Sequence, residues 1–117
     1  MERSFDEVIL LDIYGELLAK SQREALDMRY NADLSLAEIA DEMGGITRQS
    51  VLYSIKKGEQ RLCELEEKLG FAQRLKSLSA QLDTAREMVS QLRGEYNTND
   101  ERFERLEALI DEIKSGL

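Results

Sequence analysis

Apolar positions recur along this chain at three-and-four spacing, and no stretch alternates apolar with polar as a strand would. Four Ser/Thr-x-x-Glu signals punctuate the pattern, and each predicts the N-terminus of a helix. Ser4 with Glu7 opens the first, whose apolar face draws on Phe5, Val8, Ile9, Leu11, Ile13 and Leu17. Ser21 with Glu24 opens a second, packed through Ala25, Leu26, Met28 and Tyr30 and closed by a turn at Asn31–Asp33. Ser35 with Glu38 opens a short third helix that ends at Gly44. Thr47 is placed to cap a fourth, and Gly70 to break it. Thr98 with Glu101 opens the last, with Phe103, Leu106, Leu109, Ile110 and Ile113 on one side. The expected fold class is all-α.

The segment from Leu34 to Leu62 has the form of a helix-turn-helix, the unit whose second helix enters the major groove of DNA. Leu36, Ile39 and Ala40 give its first helix an apolar face. On the second, Val51, Ile55, Gly58 and Leu62 form a buried seam at about 100° per residue, leaving Gln49, Tyr53, Lys56, Lys57 and Gln60 opposite. Glutamine can bond an adenine edge with two hydrogen bonds. Lysine reaches guanine edges or phosphates, and a tyrosine hydroxyl suits a phosphate. Thr47 and Arg48 stand at the helix N-terminus, where free amides and the dipole attract anions.

From Leu62 onward the apolar positions narrow to a seam: Leu62, Leu65, Leu69, Ala72, Leu75, Leu78, Leu82, Ala85, Val89, Leu92 and Tyr96. A run of consecutive threes near Gly70 marks a register shift. A helix from Phe71 to Tyr96 extends roughly 39 Å at 1.5 Å per residue, more than four short helices can cover. Its seam must pack on the last helix, on a second copy of the chain, or on a foreign partner. The domain reading is therefore a helix-turn-helix domain over residues 1–69 and a helical extension over 70–117 that serves dimerisation or partner binding.

Composition narrows the chemistry. The 117 residues hold one cysteine, no histidine, no proline and no tryptophan. Zinc sites built on Cys and His and imidazole catalysis are excluded. Cys63, beside Leu62 and Leu65, reads as a small packed residue. No phosphate loop, nucleophile elbow or cofactor motif is present, so neither catalytic residues nor cofactors are expected. The longest apolar run, Val8 to Leu11, is too short to cross a membrane and no signal peptide opens the chain, so a cytoplasmic location is expected.

Net charge is −8, which opposes indiscriminate binding to phosphate backbones. Its distribution matters more. Residues 1–45 carry four basic and eleven acidic side chains, and residues 63–117 carry eight and twelve. Between them, Arg48, Lys56, Lys57 and Arg61 stand against Glu59 alone. The basic island coincides with the second helix of the helix-turn-helix.

The stretch AKSQREALDMRYNADLSLAEIADEMGGITRQSVLYSIKKGEQRL resembles region 4 of bacterial sigma factors, a promoter-reading helix-turn-helix fold. More narrowly, LLDIYGELL, SQRE, DLSLAEIA, ITRQSV and IKKGEQ resemble the YlxM family over residues 8–70. That resemblance implies a small bacterial DNA-binding or regulatory protein that dimerises, linked to the signal recognition particle pathway. A protein adaptor acting on the GTPases of that pathway without DNA is the alternative it allows. It implies double-stranded DNA as ligand, with Thr47, Arg48, Gln49, Ser50 and Tyr53 as reading positions and Lys56 and Lys57 on phosphates. Two departures stand out. Gly44–Gly45 makes the turn one residue longer than the family's, and Leu52–Tyr53 replace a more usual aromatic or basic residue followed by an acidic one. Both glycines tolerate positive φ, so the added residue reads as spare, and deleting Gly45 is expected to leave the fold intact.

Overall fold

The computed structural model describes residues 6–97 and 99–117, and contains no strand among them. Its elements are α1 (Glu7–Tyr14), a 3-10 turn (Gly15–Leu17), α2 (Lys20–Tyr30), α3 (Leu36–Glu42), α4 (Arg48–Leu69), α5 (Phe71–Tyr96) and α6 (Glu101–Ser115). The chain forms two compact units, one ending at Ala72 and the other running from Gln73 to Leu117. None of the described helices is long and apolar enough to cross a membrane.

In the first unit, α1 starts where the Asp6 carboxylate accepts the Val8 N–H at 2.9 Å. Ser4, the expected cap, lies outside the described residues. The buried face of α1 also differs from expectation. Leu10, Leu11, Tyr14 and then Leu18 enter the core, while Val8, Ile9 and Leu17 are exposed. An unbroken apolar run from Val8 to Leu11 satisfies several faces at once. The face that wins is the one whose three-and-four spacing reaches Tyr14 and Leu18, and the 3-10 turn directs Leu17 outward.

The Ser21/Glu24 cap is corrected. α2 already begins at Lys20, with Ala19 at the N-cap position and no side-chain cap, so Ser21 falls inside the first turn. The Glu24 carboxylate instead lies 3.9 Å from Lys20, one helical turn away.

The remaining ends in this unit follow the sequence signals. Ser35 and Glu38 form a reciprocal capping box: Glu38 N–H donates to Ser35 Oγ at 3.2 Å and Ser35 N–H to Glu38 Oε1 at 3.1 Å. Those bonds from Ser35 hold the Glu38 carboxyl below its ordinary range. α3 then closes with the paired bonds of a Schellman turn, Gly44 N–H to Asp41 O and Gly45 N–H to Ala40 O. Both glycines have positive φ, 89° and 79°. Gly45 thus carries a bond and a conformation that its reading as a spare residue did not assign. Thr47 caps α4, and Gly70 ends it with φ 65°.

α4 is the axis of the unit. Val51, Ile55, Leu62 and Leu65 on one side meet Leu10, Leu11 and Tyr14 of α1, Leu26 of α2, and Ile39 and Ala40 of α3 in one cluster. Gly58 lets α2 come close: a Cβ added there would sit 2.6 Å from Leu26 Cδ1. Cys63 is buried as a small core-side residue. Beyond Gly70, Ala72 still belongs to this core. The seam read as one stripe from Leu62 to Tyr96 therefore divides at the Gly70 joint, and Leu69 is left exposed.

In the second unit, the rest of α5 and α6 form an antiparallel hairpin around Val89 and Ile110. Asp100 caps α6 by accepting the Arg102 N–H at 2.9 Å, and its bonds to Arg102 bring its carboxyl down to about 2. Thr98, the expected cap, lies outside the described residues. One face of the hairpin is an ion-pair ladder: Arg86 with Glu107 and Asp111, Arg93 with Glu104 and Glu107, and Lys114 with Asp83. At about 100° per residue the opposite face carries Met88 and Leu92 from α5 and Leu106, Leu109 and Ile113 from α6. All five are exposed.

Candidate nucleic-acid interface

The N-terminal half of α4 turns one face to the core and the other outward. Val51, Ile55 and Gly58 are buried, whereas Thr47, Arg48, Gln49, Ser50, Tyr53, Lys56 and Lys57 are all exposed. The structure thus brings the five expected reading positions and the two expected phosphate-contacting lysines to one end of one helix and its cap. Ile39 and Ala40 of α3 share the buried cluster with Val51 and Ile55, so the short first helix supports the long second one.

The seven side chains are not equally available. Thr47 Oγ1 accepts the Ser50 N–H at 3.1 Å and donates to Ser50 Oγ at 3.0 Å. These two hydroxyls are engaged with each other at the helix start. Lys57 Nζ lies 5.7 Å from the centre of the Tyr53 ring, a cation–π contact that groups the two along the outer face. Gln60, also outward, donates to Glu64 at 3.3 Å.

Charge pairing differs among the cations around this end of α4. Arg23 pairs with Glu16, Lys20 with Glu24 and Arg61 with Glu64. Arg48, Lys56 and Lys57 have no carboxylate partner among the described residues. An open groove of about 350 Å³ lies alongside, with Leu17 and Gln22 on one wall and Lys57, Gln60 and Arg61 on the other. Exposed apolar side chains also adjoin the cations: Ile46 and Leu52 at 38% and Tyr53 at 65%. Ile46 and Leu52 carry no polar group, so the polar pattern that marks the outward face in the sequence does not single them out.

The family model described as "Putative helix-turn-helix protein, YlxM / p13 like", UPF0122, matches residues 1–113 of the chain. The chain belongs to the UPF0122 family. A UPF0122 protein of Acetivibrio thermocellus is 36% identical over 115 residues, 97% of each chain. One from Clostridium perfringens is 36% identical over 112 residues, covering 96% of this chain and 93% of its own. One from Clostridium kluyveri is 46% identical over 78 residues, 67% of this chain and 69% of its own. The UPF0122 match extends past the helix-turn-helix into α6, so the hairpin falls within the family's pattern.

Proposed function

We propose that this protein is a DNA-binding regulator that lays the N-terminal half of α4 in the major groove, as a sigma region-4-like module would. The observation that carries this reading is the grouping of Arg48, Lys56 and Lys57 on the exposed part of α4, none of them with a carboxylate partner among the described residues. Unpaired cations are free to displace counterions from phosphates. Gln49 and Tyr53, exposed between them, supply base-edge and phosphate contacts. The activity is binding in the cytoplasm, not catalysis. Measuring affinity for a random-sequence duplex pool against salt tests it: affinity falls steeply with salt, and no binding at about 50 mM salt defeats it.

The protein acts as a homodimer through the apolar face of the α5–α6 hairpin. Met88, Leu92, Leu106, Leu109 and Ile113, between 43% and 58% exposed, carry no charge. Fully covered, they offer on the order of 500 Å² per copy, so a symmetric pair would bury up to about 1,000 Å², the lower bound for a biological interface. Two such hairpins form a four-helix bundle, with the ion-pair ladders facing water.

A second reading, an adaptor for signal recognition particle components, draws on the exposed Val8, Ile9 and Leu17 beside Asp12 and Glu16 in α1 and the turn after it. Such a surface favours a protein partner over DNA. Pull-down from extract with and without nuclease separates the two: nuclease-resistant recovery of targeting GTPases supports the adaptor.

A further inference from the structure

Leu52, 38% exposed on the flank of α4, has no part in the core, whose stripe along that helix is filled by Val51, Ile55, Gly58 and Leu62. Leu52 stands one turn beyond Gln49, so their Cβ atoms are neighbours about 5–6 Å apart. Gln49 makes no hydrogen bond among the described residues, so its amide donor and acceptor can both serve a ligand. The hydroxyls of Thr47 and Ser50, the other small polar groups there, are bonded to each other.

We propose that Leu52 reads the 5-methyl group of thymine beside an adenine edge held by Gln49, which makes A·T-bearing duplex DNA the ligand of α4; the proposal rests on the DNA-binding reading above. An A·T pair shows an acceptor and a donor on adenine and a methyl group on its thymine in the major groove. A free amide next to an apolar side chain matches that pattern. A G·C pair shows no methyl, and its cytosine amino group would lose water against Leu52 without gaining a bond. Arg48, Lys56 and Lys57, none with a carboxylate partner among the described residues, flank the pair and complement the phosphates on either side.

The test uses the full chain and random 30-base-pair duplex pools copied with either thymidine or deoxyuridine triphosphate, which differ only in the methyl. The wild-type protein is expected to favour the thymine pool on the order of fourfold for one buried methyl. Sequencing of the bound thymine pool is expected to show an enriched A·T step that Gln49→Ala loses. Leu52→Ala should bind thymine and uracil pools alike, while Leu52→Met, still apolar, keeps the preference; circular dichroism checks that both variants fold. Salt-sensitive binding with equal affinity for the two pools overturns the methyl reading and leaves DNA binding standing. A thymine preference that survives Leu52→Ala also overturns it, by assigning the methyl contact to another side chain such as Tyr53. Failure to bind either pool overturns the methyl reading and the DNA-binding reading together.

Discussion

Tyr14 Oη donates to Glu66 Oε1 at 2.6 Å, across 52 residues of sequence. The same hydroxyl accepts the Phe71 N–H at 3.1 Å, and Glu66 Oε1 accepts the Ala72 N–H at 2.9 Å. The Tyr14 ring stacks on Phe71 with centroids 6.2 Å apart. Two side chains from α1 and α4 thus supply the N-terminal cap that α5 lacks from its own sequence, since Gly70 has no side chain to offer.

Tyr14→Phe removes that hydroxyl and strands the Phe71 N–H. It is expected to cost about 1–2 kcal/mol of stability, because a part-buried donor is left without its partner. Chemical denaturation reads the loss, and faster hydrogen exchange at the Phe71 amide locates it.

Burial first, and then the hydrogen bond to Glu66, raise the Tyr14 hydroxyl above its ordinary value of 10.0. The folded form therefore keeps its proton after the unfolded chain begins to lose it. This contribution is fully present below about pH 10 and is lost as pH rises through the higher folded value. Comparing wild type with Tyr14→Phe should show a stability difference that shrinks on the alkaline side; a difference independent of pH there contradicts it.

Gly58→Ala is expected to destabilise the protein by about 1 kcal/mol net. Repacking around an added Cβ costs about 1–3 kcal/mol, offset by up to about 1 kcal/mol of helix propensity. In a Leu26→Ala background the obstructing Cδ1 is gone, so the same change becomes neutral or stabilising. Melting curves of the four proteins in this cycle check the coupling.

Leu92→Glu or Leu109→Glu places a carboxylate in the apolar face of the α5–α6 hairpin. Sedimentation is expected to show dimer for wild type and monomer for either variant. A wild-type monomer at high concentration removes the four-helix bundle from consideration.

Helix ends were the most legible part of the sequence. Ser35–Glu38, Thr47 and Gly70 act locally, through bonds within one turn, so the sequence contains everything they need. Ser21–Glu24 failed because a Ser-x-x-Glu spacing also arises inside a helix that starts one residue earlier. The buried face of α1 was ambiguous because Val8 to Leu11 are all apolar, and only packing against α2 and α4 selects among them. Tyr14–Glu66 was beyond reach for a different reason: nothing local marks two residues that meet only after α1 and α4 pack. At the candidate interface, Gln49, Tyr53, Lys56 and Lys57 followed from helical geometry and Thr47 and Arg48 from the helix start, whereas Ser50 rested on the family resemblance alone. That Arg48, Lys56 and Lys57 have no carboxylate partner among the described residues, and that Thr47 and Ser50 engage each other, depends on where neighbouring side chains fall in three dimensions.

The most direct measurement is the salt dependence of duplex binding by wild type and by Lys56→Ala/Lys57→Ala. If both lysines neutralise phosphates, the double variant binds more weakly to every sequence, and its slope of log affinity against log salt is shallower by about 2. A slope unchanged by the double substitution, or a wild-type protein that binds no duplex at about 50 mM salt, contradicts DNA binding through α4.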